Sequence, residues 1–189
     1  MQLQILPLSE FQSQENLKAL ENFSSLYWNG PSWSMEAFKE SDDIDDQYKL
    51  EVSYIAFITK EEFLNITPKE HEDLGNINKI QVVLKESNLP QVILGLIISA
   101  QKTEEKYKVA MDPYLYIYKL LTHPSFQNKG VATKLLNKTI ATAEDCDLYQ
   151  QVLSVSVDNS HAISFYENNF DFEITSETSN ENYIMTRYS

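Results

Sequence analysis

The sequence has few of the residues that would form disulfides or thiolate metal sites, span a membrane or bind nucleic acid. Its 189 residues include one cysteine, Cys146, which excludes an internal disulfide and a zinc site built from several thiolates. The longest apolar run, Val92 to Ile98, is interrupted by Gly95 and is far too short to cross a bilayer. Lys and Arg number 15 against 28 Asp and Glu, which gives a net charge of −13. We therefore expect neither nucleic acid nor an anionic membrane surface as a partner.

The first residues also lack a basic segment followed by an apolar core. Met1 to Pro7 contains no Lys or Arg, so no signal peptide is predicted and the cytoplasm is the expected location. Hydrophobic residues make up 42% of the chain, which excludes a disordered protein. The length of 189 residues predicts one domain over residues 1–189, and a monomer or homodimer is expected.

The first half of the chain predicts strands, helices and polar connections. Helical periodicity runs through much of residues 9–40, and five carboxylates crowd into residues 40–46. Residues 60–79 are polar and contain proline and glycine, which predicts an insertion or a long loop. Strands are predicted where β-branched and aromatic residues cluster, at Leu3–Leu6, Tyr54–Thr59, Ile80–Leu84 and Val92–Ser99.

The second half of the chain has a clearer pattern of alternating strands and helices. Two helices are predicted, one that opens at Gly130 and one that is capped near Asn159 and ends at Asn168 and Asn169. The first has an apolar stripe of Val131, Leu135, Leu136, Ile140 and Ala143. Strands are predicted at Tyr114–Leu121 and Gln151–Val157, with a hairpin after the second helix. This order predicts an α/β fold with a mixed sheet.

The junction between Leu120 and Thr133 has the strongest chemical pattern. A strand leads into a loop and the loop leads directly into a helix, so free backbone N–H groups point to one place at the positive end of the helix dipole. Such a place binds phosphate or pyrophosphate, and the small Gly130 and Ala132 would let a ligand approach the backbone. Lys129 would add a charge at the rim. An ordinary tight turn is the alternative interpretation of this junction taken alone.

Two motifs at this point resemble the GCN5-related N-acetyltransferase (GNAT) superfamily. The cofactor motif [Q/R]-x-x-G-x-[G/A] of that family corresponds here to residues 127–132, QNKGVA. About thirty residues later, the family motif N-x-x-A-x-x-x-Y corresponds to residues 159–166, NSHAISFY. The resemblance is specific over roughly residues 114–172. It implies a central, mostly antiparallel sheet of about six or seven strands with a splayed parallel pair, flanked by helices.

The resemblance also implies acetyl-CoA as cosubstrate, an amine-bearing acceptor and no metal. The backbone of Gln127, Asn128, Lys129, Gly130, Val131, Ala132 and Thr133 would hold the CoA pyrophosphate. Leu120, Leu121 and Thr122 would present strand-edge groups to the pantetheine amides. Asn159 would hydrogen-bond the pantetheine arm and Phe165 would pack near it. Tyr166 would be the general acid that protonates the leaving thiolate.

The acceptor side is less determined by the sequence. The resemblance places the acceptor pocket near residues 9–40, where Trp28 and Trp33 would contact substrate or pack in the core. Tyr118 stands at or near the position where many family members have a carboxylate base, which leaves a water-mediated route or a carboxylate from another strand. The net charge favours a cationic primary amine, such as a polyamine, an aminoglycoside-like compound, or a peptide or protein amino group. The missing carboxylate favours instead a non-catalytic CoA-binding sensor or interaction module. His123 and His161 are expected to be solvent-facing or capping groups.

Overall fold

The computed structural model describes residues 3–11, 13, 19–20, 23, 52–64, 91–102, 105–106, 109–110 and 112–189. Most of the region 9–40, Trp28 and Trp33 within it, the carboxylates of residues 40–46 and the predicted strand Ile80–Leu84 lie outside these residues. The strands are β1 (Gln4–Pro7), β2 (Tyr54–Thr59), β3 (Gln91–Lys102), β4 (Glu105–Lys106), β5 (Val109–Ala110), β6 (Tyr114–Thr122), β7 (Gln150–Ser156), β8 (Glu173–Glu177) and β9 (Asn182–Tyr188). The helices are α1 (Lys60–Leu64), α2 (Val131–Asp145) and α3 (Ser160–Phe170), with 3-10 turns at Leu8–Glu10 and Pro124–Phe126.

Seven strands form one sheet in the order β1-β2-β3-β6-β7-β9-β8, and β4 and β5 form a separate two-stranded sheet. Neighbouring strands of the large sheet are antiparallel except for β6 and β7, which are parallel. A parallel pair needs a crossover connection, and α2 supplies it. The mixed sheet with one parallel pair confirms the predicted fold class.

Side chains from both faces of the sheet form the core. On one face, residues of β2, β3, β6 and β7 pack with the α2 stripe Val131, Leu135, Leu136, Ile140 and Ala143, all of which are buried. On the other face, Leu8, Phe11, Ala19, Leu20 and Phe23 pack against β2 and β3. The 3.6-residue period of the α2 stripe therefore identified the buried side of that helix correctly.

Two element ends differ from the sequence predictions. Residues 60–64, which were expected to begin an insertion or a long loop, form α1. Thr59 and Glu62 cap this helix reciprocally, because Thr59 Oγ1 accepts the Glu62 N–H and Glu62 Oε2 accepts the Thr59 N–H, each at 3.2 Å. Helix α3 does not end at Asn168 and Asn169. It continues to the buried Phe170, and Asp171 takes the left-handed position with φ 56°.

No helix among the described residues is long and apolar enough to cross a membrane.

Candidate active site

Strands β6 and β7 separate soon after they begin to pair. Only three registered pairs join them, from Leu115–Gln151 to Ile117–Leu153, although both strands continue for several residues. A cavity of about 360 Å³ lies beyond the last pair, lined by residues of both strands and of α3. The expected splay of this parallel pair is therefore present.

A β-bulge in β6 coincides with the start of the splay. Ile98 of β3 faces Lys119, whereas the next residue, Ser99, faces Ile117, so the register skips Tyr118. A bulge bends its strand and increases the local twist. The bend at Tyr118 therefore explains why β6 leaves β7 at this point.

The cavity between the splayed strands has polar groups but no carboxylate among its described lining residues. The polar side chains are Tyr118, Lys119, Ser154, Ser156, Asn159 and Tyr166. Burial lowers the pKa of Lys119, because the charged ammonium is poorly solvated there. Alternation along β7 places Ser154 and Ser156 opposite the buried Leu153 and Val155, which is why both serines are exposed.

A second cavity of about 640 Å³ lies along the loop before α2. It shares Leu120, Asn159, Ala162 and Tyr166 with the first cavity, so the two form one groove. Six of the seven predicted loop residues line it: Gln127, Asn128, Gly130, Val131, Ala132 and Thr133. Lys129 is exposed and is absent from the lining. Leu121 lines the first cavity and Thr122 the second.

The backbone of this loop is arranged to bind an anion. Asn128 and Gly130 both have positive φ, 58° and 77°, and the first intrahelical bond of α2 runs from the Lys134 N–H to the Gly130 carbonyl. Among the described residues, no group accepts a hydrogen bond from the N–H groups of residues 128–133, and no side chain caps the helix at Gly130. The N–H groups of residues 130–133 belong to the cap and first turn of α2, a place that can hold a pyrophosphate group.

Helix α3 carries the second motif across the groove. Asn159 caps the helix with Oδ1, which accepts the Ala162 N–H at 3.1 Å. The side-chain oxygen of Asn159 already accepts this hydrogen bond. The Nδ2 group is therefore the part of the side-chain amide that can donate to a ligand. Phe165 lines the second cavity and packs its ring against Tyr166 and Phe170, with both centroid distances at 5.3 Å.

Tyr166 lies where the two cavities meet. Its ring also packs against Phe172 at 5.6 Å, and burial raises the pKa of its hydroxyl to about 12. Desolvation disfavours the phenolate, so the hydroxyl keeps its proton throughout the neutral pH range. Tyr166 thus lines both cavities with a hydroxyl that is protonated and able to donate a hydrogen bond.

An aromatic and cationic cluster lies beside Tyr118. The Tyr116 and Tyr118 rings meet edge to face at 4.8 Å. Lys102 Nζ lies 4.6 Å from the Tyr116 centroid and 5.1 Å from that of Tyr118, within the range of a cation–π contact. These contacts fix the Tyr118 side chain at the edge of the cavity.

His123 differs from its expected exposed position. It is 5% exposed, its ring packs edge-on against Phe126 at 5.6 Å, and burial lowers the pKa of its imidazole to about 4. His161 is exposed as expected, but it also lines the second cavity. The sequence analysis did not name Lys119, Ser154 or Ser156 as site residues, although the alternation of β7 places the two serines on one face, opposite Leu153 and Val155.

Comparisons with known proteins agree with this architecture. A profile of the acetyltransferase (GNAT) family matches residues 28–172. Curated proteins give no match. Among solved structures, a NatC complex bound to Gag peptide and CoA is 17% identical, with TM-score 0.65 and coverage of 100% of this chain and 99% of that one. Arabidopsis thaliana Naa50 with the bisubstrate analogue CoA-Ac-MVNAL is 15% identical, with TM-score 0.57 and full coverage of both chains.

A third similar structure comes from a bacterium. The ribosomal-protein-S18-alanine N-acetyltransferase of Escherichia coli is 15% identical, with TM-score 0.56 and coverage of 99% of this chain and 94% of that one. At such identities the likeness shows the fold, and the fold is that of the GNAT acetyltransferases. Since the family profile covers residues 28–172, the chain belongs to the acetyltransferase (GNAT) family. The neighbours solved with CoA are consistent with acetyl-CoA as the cosubstrate.

Proposed function

We propose that this protein is an N-acetyltransferase that transfers an acetyl group from acetyl-CoA to an amine. The observation that carries the proposal is the continuous groove formed by the β6–β7 splay and the N–H groups before α2. This groove offers separate places for an extended arm and for a pyrophosphate. Family membership supports the same reaction class.

Each part of the groove then has a role in holding acetyl-CoA. The N–H groups of residues 128–133 bind the pyrophosphate, and Gln127 lies at the entrance of that loop. Leu120 to Thr122 continue β6 beyond its pairing with β7, and the pantetheine amides would lie along this part of the strand. Asn159 Nδ2 donates to the arm from the opposite wall, and Phe165 packs beside it.

Acetyl-CoA supplies an activated acyl group and a thiolate leaving group. In the proposed mechanism Tyr166 donates a hydrogen bond to the thiolate sulfur. A backbone N–H near the end of β6 would stabilise the oxyanion that develops on the carbonyl oxygen. The acceptor amine must lose a proton, and the described lining contains no carboxylate to take it. We infer a water molecule held by the Ser154 and Ser156 hydroxyls, or a carboxylate from residues outside the described part.

We propose the amino group of a peptide or protein as the first acceptor to test. The support is the set of similar structures, which are bound to peptides or peptide-like analogues or named for a protein alanine. A cationic small amine is the second candidate, favoured by the net charge of −13.

Two measurements on the full chain test this proposal. Calorimetric titration measures binding of acetyl-CoA, and a thiol-release assay measures turnover with a panel of peptides of varied first residue, polyamines and aminoglycosides. We expect binding together with turnover on at least one amine. Binding without turnover on any amine would instead support the non-catalytic sensor, and absence of CoA binding would contradict both functions.

A further inference from the structure

We propose that Gly95 of β3 is a positioning residue for the cofactor loop, an inference that rests on the proposed function. Gly95 lies in β3 and is not itself among the residues that line the groove, although it packs against two of them, Leu121 and Val131. Its role would be to let β3, β6 and α2 come close enough to fix both ends of the loop.

A second bulge turns Gly95 toward α2. In the pairing of β2 with β3, Ala56 faces Gly95 and Phe57 faces Ile93, so the register skips Leu94. Leu94 packs in the core layer that contains α2, and a Cβ built on Gly95 also points at that helix. Two successive residues of β3 therefore face the same side, which is what a bulge produces.

The space in front of Gly95 is already filled. A Cβ there would lie 2.7 Å from Val131 Cγ1, 2.8 Å from Leu135 Cδ1 and 2.9 Å from the Leu121 carbonyl oxygen. Leu135 can turn its side chain away, whereas the Leu121 oxygen is backbone and the Val131 side chain is β-branched and stiff. The backbone of Gly95 is not in the left-handed region, so an alanine would change the packing only.

The contacts of an added Cβ with Val131 and with the Leu121 carbonyl oxygen could not be relieved by a side-chain rotation. These two contacts lie at the two ends of the proposed cofactor loop. Leu121 belongs to the edge of β6 that faces the arm, and Val131 is the first residue of α2. Between them, the His123 N–H donates to the Leu94 carbonyl at 2.7 Å. Leu94 and Gly95 thus hold the loop at its start by a hydrogen bond and at both ends by close packing.

The test is a double-mutant cycle of Gly95→Ala and Val131→Ala, with acetyl-CoA affinity measured by calorimetry on the full chain. For Gly95→Ala we expect the dissociation constant to rise roughly tenfold, within the range by which overpacking a core site changes a free energy. In the double variant, removal of the Val131 methyl groups frees part of the space, and affinity is expected to recover at least partly. The KM for acetyl-CoA is expected to rise while the KM for the acceptor stays near its original value.

Ile140→Val is the matched control. Ile140 is a buried residue of the same helix, about two and a half turns after Val131. This variant lowers stability without pressing on the loop. It is expected to bind acetyl-CoA like the unmodified protein. If Gly95→Ala does not fold, the acetyl-CoA affinity of the double variant is compared with that of Val131→Ala alone.

The outcomes separate this inference from the proposed function. Unchanged affinity in folded Gly95→Ala would overturn the positioning role and leave the proposed function intact. Equal losses in Gly95→Ala and in Ile140→Val would also overturn it, because general destabilisation would then explain the effect. Failure of the unmodified protein to bind acetyl-CoA would contradict the proposed function, and this inference with it.

Discussion

Replacement of Tyr166 by Phe removes one hydroxyl group at the point where the two cavities meet. The ring keeps its contacts with Phe165 and Phe172, since these involve the aromatic faces and edges. The variant is therefore expected to bind acetyl-CoA with nearly unchanged affinity and to lose part of its turnover. The size of that loss depends on whether the hydroxyl gives up its proton or only shares it.

The pKa of Tyr166 decides between these alternatives. Burial raises that pKa to about 12, whereas a free thiol has a pKa of about 8.5. Complete transfer of the proton from Tyr166 to the thiolate is thus uphill by roughly 3 to 4 pKa units, or about 5 kcal/mol. A hydrogen bond to the developing thiolate contributes instead, and such a bond to a charged group is worth about 1.5–3 kcal/mol. We therefore expect Tyr166→Phe to lower kcat by about 10- to 150-fold.

The assay is thiol release at saturating acetyl-CoA, from pH 6 to pH 10. Tyr166 stays protonated over this range, so Tyr166→Phe is expected to lower kcat by the same factor at every pH. The curves of kcat against pH should therefore have the same shape for the variant and the unmodified protein. Tyr54→Phe is the matched control, because the Tyr54 hydroxyl is bonded to Thr142 at 2.6 Å, away from the groove lining. Full activity of Tyr166→Phe at all pH values would show that the residue serves packing alone.

Three further predictions concern the loop, stability and salt. Gly130→Ala is expected to weaken acetyl-CoA binding measured by calorimetry more than Gly130→Asn, because asparagine tolerates a φ of 77° better than alanine; equal effects would contradict this. The imidazole of His123 has its pKa lowered from 6.5 to about 4, so the unfolded chain binds its proton first as the pH falls. Its contribution to stability is present above pH 6.5 and is lost toward pH 4. Urea denaturation is expected to show a loss of about 2 kcal/mol between pH 8 and pH 5 that His123→Gln removes; an equal loss in His123→Gln would contradict the assignment. Rising ionic strength is expected to lower kcat/KM for cationic acceptors only.

The sequence predicted the second half of the fold best because periodicity is strong there. The apolar stripe of α2 and the alternation of β7 each commit one face to the core, and the structure buries those faces. Tyr54–Thr59 matches β2 at both ends, because its β-branched and aromatic residues are bounded by a helix cap. That cap, Thr59-x-x-Glu62, was the local signal that would have predicted α1.

Bulges and helix ends were harder to predict, for physical reasons. A bulge depends on the register between two strands, so nothing in the β6 sequence alone indicates that the pairing skips Tyr118. Asn168 and Asn169 were expected to end α3, yet Asn169 lies within the helix, where its Nδ2 donates to the Phe165 carbonyl at 2.8 Å. The next apolar residue, Phe170, gains burial by extending the helix by one residue.

The charge of the whole chain and the polar lining of the cavity act at different ranges. The net charge of −13 attracts cationic molecules over distances that salt screens, since the Debye length is about 10 Å at 0.1 M and 3 Å at 1 M. The described lining of the cavity beyond the β6–β7 pairs has no carboxylate and includes Lys119, so it does not favour an ammonium ion at the point of reaction. An amine must in any case be neutral to attack a carbonyl carbon. The long-range field should therefore speed the encounter with a cationic acceptor, and the lining should act only after the acceptor has arrived.

Salt is then expected to lower kcat/KM for a polyamine or a lysine-rich peptide while kcat stays constant. The measurement is thiol release from 0.05 to 0.5 M NaCl, with a neutral peptide as the control acceptor. A kcat that falls with salt for the cationic acceptor alone would contradict this separation, because the acceptor's charge would then be held at the reacting point itself.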